Sequence, residues 1–471
     1  MASNSLCIHG HFYQPPREDP FTGQIPYEHG AEPYLNWNER IYSECYRPNA
    51  EMRNFGSVSF DVGPTLFEWM LAAHPKTCSQ IVSQDQMNLG RYGIGNAMAQ
   101  PYHHTILPLA TRRDKETQIY WGTLQFFHRF GRKPQGMWLP ETAVDLETLE
   151  VLAQNGIKFT LLAPWQTDYP DVDCTEPYRV ELSDGKAITV FFYHKELSGG
   201  ISFNPQWTTN AENFLHDKVQ PFYHQKKSRR GEQQLIIIAS DGELYGHHQQ
   251  FRDLFLAHLL DGASAQNGIK PTYLALWLKQ NPPRQTINIR ERTSWSCHHG
   301  VSRWKGDCGC VSVDGRWKAY LRLACDQLAK NLDDVYCQFL RPFSVDPWKL
   351  RNRYIYVLLE EITPQVLIDE MIGSGLNTET TDKIILLLEA QHQRQQMFAS
   401  CAWYYDDFSR IESKNCLAYA AQAAVLAQRA TGEDLASPLQ GILQNVVSRR
   451  TGLRGDHVFS QQLNRAWQPI P

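Results

Sequence analysis

The side chains best suited to chemistry fall in two places where an apolar run stops at a carboxylate. Residues 235–239, Leu-Ile-Ile-Ile-Ala, end in Ser240-Asp241-Gly242-Glu243, with Tyr245, His247 and His248 just beyond. Residues 136–139 end in Pro140-Glu141. Paired carboxylates suit general acid, general base or nucleophilic work when their surroundings separate their proton affinities. Acids in such positions also serve turns and helix caps, so either segment alone is ambiguous. A third set, His9-Gly10-His11-Phe12-Tyr13-Gln14-Pro15, closes an apolar run near the start of the chain. Histidines at i and i+2 of a strand point to one face, which suits metal ligation or hydrogen bonding to a ligand.

These residues need a scaffold that brings strand ends together. Short apolar runs are expected as strands at residues 6–9, 58–61, 136–139, 157–162, 186–193 and 235–239, with a weaker one within 92–108. Segments 65–71, 115–130 and 144–155 are expected as helices between them. Buried strands alternating with helices call for an α/β fold with a parallel sheet, here a seven-stranded (β/α) barrel over residues 1–292. The Pro-, Tyr- and Asn-rich stretch to residue 50 is expected as a long loop over the site.

Beyond residue 292 the pattern changes. Trp317, Leu321, Ala324, Leu328, Leu332, Val335 and Phe339 recur at steps of three and four, one apolar helical stripe. A C-terminal helical bundle over 293–430 is expected to pack on the barrel mouth, and 431–471 to form a loose tail. Before it, Cys297, His298, His299, Cys308 and Cys310 offer thiolate and imidazole groups that suit zinc. The cysteine spacing lacks the paired clips of common zinc modules. The segment is therefore read as a glycine-rich loop, with no metal and no cofactor assigned.

The 42% hydrophobic and 20% charged composition indicates a folded chain. A net charge of −4 gives no polyelectrolyte signal for nucleic acid. No long apolar run suggests a membrane span, no secretion signal is visible, and the 11 scattered cysteines read as reduced thiols. A cytoplasmic enzyme is the expectation. Thirteen Trp and 21 Tyr could line a groove on which sugar rings stack.

Together these segments resemble glycoside hydrolase family 57, α-glucan-active enzymes, over about residues 1–430. The family's His-Gln-Pro motif resembles His11-Phe12-Tyr13-Gln14-Pro15, with two residues inserted. Its second motif resembles 95–108, with His103 and His104. The third is similar to Trp138-Leu139-Pro140-Glu141, and the fourth to 240–247; the fifth corresponds to 295–304. Gly242 stands where the family usually has Thr or Ser, and the Cys/His loop is not a general family feature. The resemblance implies a retaining glycoside hydrolase or transglycosylase acting on an oligo- or polysaccharide. Glu141 would be the nucleophile and Asp241 the general acid/base, which requires a raised Asp241 pKa. It also implies that His9, His11, Gln14, His103, His104, Glu243 and His247 bind sugar hydroxyls. Trp138, Trp165, Tyr245, Trp304 and Trp403 would offer ring faces.

Two other readings compete. His9, His11, Asp241 and His247 could hold the metal of a carbohydrate deacetylase. An inactive sugar-binding protein would keep the groove but not the reaction.

Overall fold

The computed structural model describes residues 4–183 and 185–468. Asp184, which with Gly185 is expected as the turn before the strand at 186–193, and the last three residues of the expected tail lie outside them. The chain forms two compact units. The first comprises the chain up to Gln14, Tyr27–Pro101 and Phe126–Trp295; the second comprises Pro15–Pro26, Tyr102–Gln125 and the chain from Ser296.

The first unit is mixed α/β with parallel strands. β1 (Asn4–Phe12) lies between β2 (Ser59–Val62) and β7 (Gln234–Asp241), parallel to both. β2 continues to β3 (Ala97–Met98). A second path pairs β4 (Phe159–Leu162) in parallel with β6 (Ala187–Phe192). β5 (Tyr178–Glu181) runs antiparallel to β6, a hairpin arm that apolar runs alone do not reveal because its side chains alternate between buried and exposed. Residues 136–138 join the two paths through single parallel bridges, Ala99 to Met137 and Gly136 to Phe159. The expected strand at 136–139 is thus shorter than a regular ladder. A Cβ at Gly136 would stand 2.4 Å from the Phe159 ring, so glycine permits this close approach. Pro140 then turns the chain into a 3₁₀ segment, Pro140–Thr142. At the far side of the second path, the His194 N–H donates to the Ile237 carbonyl on β7 at 2.7 Å.

The β7 run Leu235–Ala239 is buried on both faces, the property its continuous apolar sequence demands. Leu235, Ile237 and Ala239, on one face, join Cys7, Met98, Trp138, Phe159 and Phe191 in one core cluster. Helix Leu146–Gln154 begins at Asp145, whose side chain accepts from the Thr148 N–H at 2.8 Å, a regular N-cap.

The second unit is helical. In Trp317–Leu340 the expected stripe is buried from Trp317 to Val335, with Phe339 half-buried. Ile411–Thr431 buries six alanines between 418 and 427, and these small side chains let it pack against both Thr378–Gln396 and Gly455–Trp467. The latter helix corrects the expected loose tail. Val458 and Phe459 are buried and Arg465 grips Asp19 through both carboxylate oxygens at 2.8 Å. Its apolar residues are few enough to read as tail in sequence, yet they sit on one face. Asp114, Asp333, Arg351 and Arg394 form a buried ionic network in this unit. No helix among the described residues is long and apolar enough to cross a membrane.

Candidate active site

The register of the first sheet sets three residues side by side. His11 on β1 is opposite Asp61 on β2 and Asp241 on β7. His9 and His11 point the same way and both reach Asp61: His9 Nε2 at 3.2 Å to Oδ1, His11 Nδ1 at 2.8 Å to Oδ2. The Gln100 amide donates to the same Oδ2 at 2.7 Å. Burial would raise the Asp61 carboxyl, but His11 and His9 outweigh it and hold it below the usual range. Burial lowers His9 despite Asp61, so this imidazole is neutral, with Nδ1 at 3.0 Å from the Ser59 hydroxyl. Burial also opposes charge on His11, but Asp61, then Asp241 and Glu243, raise it to about 9. Two adjacent histidines thus carry different charges at neutral pH.

Beneath the imidazoles lies Trp138, its ring stacked on His9 at 4.8 Å and on His11 at 4.9 Å. Trp295 meets Trp138 edge-on at 5.0 Å and His11 at 6.4 Å. Its indole N–H donates to Glu141 Oε2 at 3.0 Å, and its backbone N–H to the Glu141 carbonyl at the same distance. Glu141 has φ 58° and ψ 21°, and Thr142 follows with φ 49°. Left-handed backbone at a β-branched residue is costly and persists only where the surroundings impose it. Gln166 does so here. It accepts from the Thr142 hydroxyl and donates to the Thr142 carbonyl, both at 2.8 Å.

Asp241 is exposed at the end of β7 yet surrounded by enough protein to disfavour its charge, the situation of a carboxylate in a recess. This burial raises its pKa; His11 and His248 oppose the rise and Asp61 adds to it. Glu243 is buried, accepting from the Tyr46 hydroxyl at 2.6 Å and the Tyr13 N–H at 3.2 Å. Burial raises it to about 7, against the Tyr46 hydrogen bond and with help from Asp241. Gln14 hydrogen-bonds the Tyr46 hydroxyl in turn. Gly242, between the two acids, is packed so tightly that a Cβ would stand 2.4 Å from the Phe12 ring. That contact explains why this chain has glycine there.

The first unit therefore gathers His9, His11, Gln14, Trp138, Glu141, Asp241 and Glu243. His247 pairs with Glu44. Trp165 is half-buried, and its indole N–H donates to the Ser294 carbonyl at 3.0 Å. Other expected roles are corrected. Trp138 is fully buried and covered by the imidazoles, and Tyr245 is buried with its hydroxyl 3.3 Å from Ser240, so neither offers a free ring face. His103, His104, Trp304 and Trp403 belong to the second unit and are all buried. There His103 bonds Gln118, His104 bonds Ser400, and the Trp403 indole bonds the Lys318 carbonyl. Their polar or aromatic character signalled a site; in the structure all four are packed inside the second unit, with His103 Nε2 and the Trp304 indole N–H buried without a hydrogen-bond partner.

Four contributors were not singled out from the sequence: Asp61, Gln100, Tyr46 and Trp295. Asp61 ends an apolar strand just as Asp241 does, so the same rule could have found it. Gln100 and Trp295 lie in the motif-like segments 95–108 and 295–304 and act, like Tyr46, through tertiary contacts.

Carboxylates at the ends of parallel strands, backed by an imidazole pair and indoles, define an α/β protein whose reactive groups gather at strand ends. Residues 9–290 match the model of glycosyl hydrolase family 57, and the chain belongs to that family. Residues 314–467 match a domain of unknown function, DUF3536. The α-amylase of Pyrococcus abyssi is 22% identical over 287 residues, 57% of this chain and 41% of the amylase. The match thus spans under half the length of that curated relative. The structure of an exo-type maltose-forming amylase from Pyrococcus sp. ST04 is similar with a TM-score of 0.76 at 17% identity, covering 99% of this chain and 88% of the amylase. A branching enzyme of the same family from Pyrococcus horikoshii gives a TM-score of 0.60 at 15% identity, covering 99% and 96%. At these identities the likeness concerns the fold.

Proposed function

We propose that the protein is a retaining, α-glucan-active enzyme, with Glu141 as nucleophile and Asp241 as general acid and then general base. The observation that carries this reading is the link of each carboxylate to His11, Asp241 by strand register and Glu141 through the Trp295 indole. In the first step Glu141 attacks C1 while Asp241 gives its proton to the departing glycosidic oxygen. In the second, Asp241 takes a proton from water or from an acceptor sugar hydroxyl, which displaces Glu141. The raised Asp241 pKa favours the protonated form needed to start. Charged His11 offsets the negative charge that builds up when Asp241 ionises. Fixed backbone at Glu141 holds the nucleophile in one orientation before substrate arrives.

We place this chemistry in residues 1–292 and read β7, β1, β2, β3, residues 136–138, β4 and β6 as one seven-stranded barrel. The 136–138 bridges and the His194–Ile237 hydrogen bond support that continuity. The deacetylase reading would need imidazole nitrogens for a metal. His9 engages both of its nitrogens with protein groups, Nε2 with Asp61 and Nδ1 with Ser59, so it has none to offer a metal. The similarity to an amylase and a branching enzyme supports α-glucan as the substrate class. Incubation with maltooligosaccharides and amylose, followed by analysis of chain lengths, linkages and reducing ends, tests the reading. Net reducing ends mark hydrolysis and redistributed chains mark transfer. Unchanged substrate with correctly folded protein would refute it.

A further inference from the structure

Outside this site, the second unit assembles a different kind of chemistry. Cys297, His299, Cys308 and Cys310 each direct one ligand atom into a common space, all four within 4.8 Å of one another. Cys297 Sγ lies 3.8 Å from both Cys308 Sγ and Cys310 Sγ, and His299 Nδ1 lies 3.3 Å from Cys310 Sγ. With zinc–sulfur bonds of about 2.3 Å, the sulfur–sulfur edge of a tetrahedron is about 3.8 Å. A disulfide would require about 2.05 Å and would leave the third thiol unpaired.

We propose that these four residues bind one structural zinc ion, with three thiolates and one imidazole closing the tetrahedron. The neighbouring backbone is shaped for sulfur ligands. The N–H groups of His299 and Arg303 donate to Cys297, and that of Cys310 to Cys308. Gly300, directly after His299, and Gly309, between Cys308 and Cys310, have φ of 72° and 70°. Glycine there lets each short ligand pair fold back toward the centre. Asp307 ties the loop by accepting from the N–H groups of Gly309 and Gly315 at 3.0 and 3.1 Å. Counting cysteines alone hid the pattern, which is C-x-H, eight residues, then C-x-C. His298, the other sequence candidate, is not among the four. Full ligation by protein groups leaves no open position, which makes the site structural. It would lock the loop that leads into helix Trp317–Leu340 and that begins two residues after Trp295, the donor to Glu141.

The test uses the full chain, purified under reducing conditions. Elemental analysis is expected to give one zinc per chain in the wild type and in Cys337→Ser, and less than a tenth of that in Cys308→Ser and Cys310→Ser. Should those two variants fail to fold, cobalt(II) titration of reduced, chelator-stripped wild type gives an independent readout. One equivalent is expected to produce thiolate charge-transfer and tetrahedral cobalt absorption, which zinc then displaces. Metal-free protein that binds neither ion, full zinc in a folded Cys308→Ser variant, or a native disulfide among these cysteines would each overturn the proposal.

Discussion

Replacing Asp61 with Asn tests the electrostatics beneath the reactive carboxylates. Asp61 is fully buried and accepts from His9, His11 and Gln100. An amide offers one acceptor oxygen where the carboxylate has two, so a donor must face the new NH₂ group. Removing one partner from a buried charged pair costs about 3–5 kcal/mol. The pH dependence of that loss is the sharper signature. A histidine whose folded pKa is raised adds stability fully below 6.5 and loses it as pH rises through the folded value, here about 9. For His11 this amounts to about 2.5 kcal/mol at pH 7 and almost nothing at pH 9.5. His9, lowered by burial, acts in the opposite sense and only below 6.5. Glu243, raised to about 7, withdraws stability as pH rises from 4.5 to that value and changes little above it. The window from pH 7 to 9.5 therefore belongs mainly to His11, and comparison with wild type cancels groups remote from Asp61. Asp61 is the largest of the three carboxylates that raise His11, so most of the His11 contribution disappears in the Asp61→Asn variant. Urea unfolding at both pH values is expected to show the difference between wild type and variant shrinking by about 2 kcal/mol at pH 9.5. An equal or larger difference there would refute the assignment of charge to His11.

Gly242→Ala places a Cβ against Phe12; a loss of about 1–3 kcal/mol in urea unfolding is expected. Combined with Phe12→Ala, it should cost less than the sum of the single changes, and additivity would remove the steric explanation. Gln166→Ala deletes both hydrogen bonds to Thr142, worth about 2 kcal/mol together. In steady-state assays on a maltooligosaccharide, kcat is expected to fall up to about 30-fold with KM within about twofold. An unchanged kcat would mean that Glu141 does not need this clamp. Arg394→Ala leaves Asp114 and Asp333 with Arg351 as their one remaining shared partner, and a loss of about 3–5 kcal/mol is expected at pH 7. Because Asp114 is held below its usual range by Arg394 and Arg351 against burial, that loss should diminish as pH falls below about 4. A pH-independent loss would assign it to packing.

The sequence was most informative where one element determines its own environment. The run 235–239 could only be a doubly buried strand, and the stripe from Trp317 to Val335 could only be a helix facing a core. Strand ends located Glu141 and Asp241 for the same reason. It was least informative where a side chain's role depends on its neighbours. An exposed platform and a buried tryptophan look alike in sequence, so Trp138 and Trp403 gave no sign that other rings and helices cover them. Glu141's left-handed backbone follows from a clamp by Gln166, 25 residues later, and from Trp295, still further away. Cys297 and Cys310 are brought together by loop glycines whose geometry no cysteine count conveys.

The central claim is that Glu141 forms a bond to the sugar and Asp241 does not. In Asp241→Asn, a maltosyl fluoride donor needs no acid to leave, while water lacks its general base, so a glycosyl-enzyme should accumulate. Intact mass spectrometry followed by peptide mapping is expected to find one maltosyl group on the peptide containing Glu141, absent when Glu141→Gln is added. Turnover of the fluoride by that double variant, or a sugar attached to any other residue, would contradict the assignment.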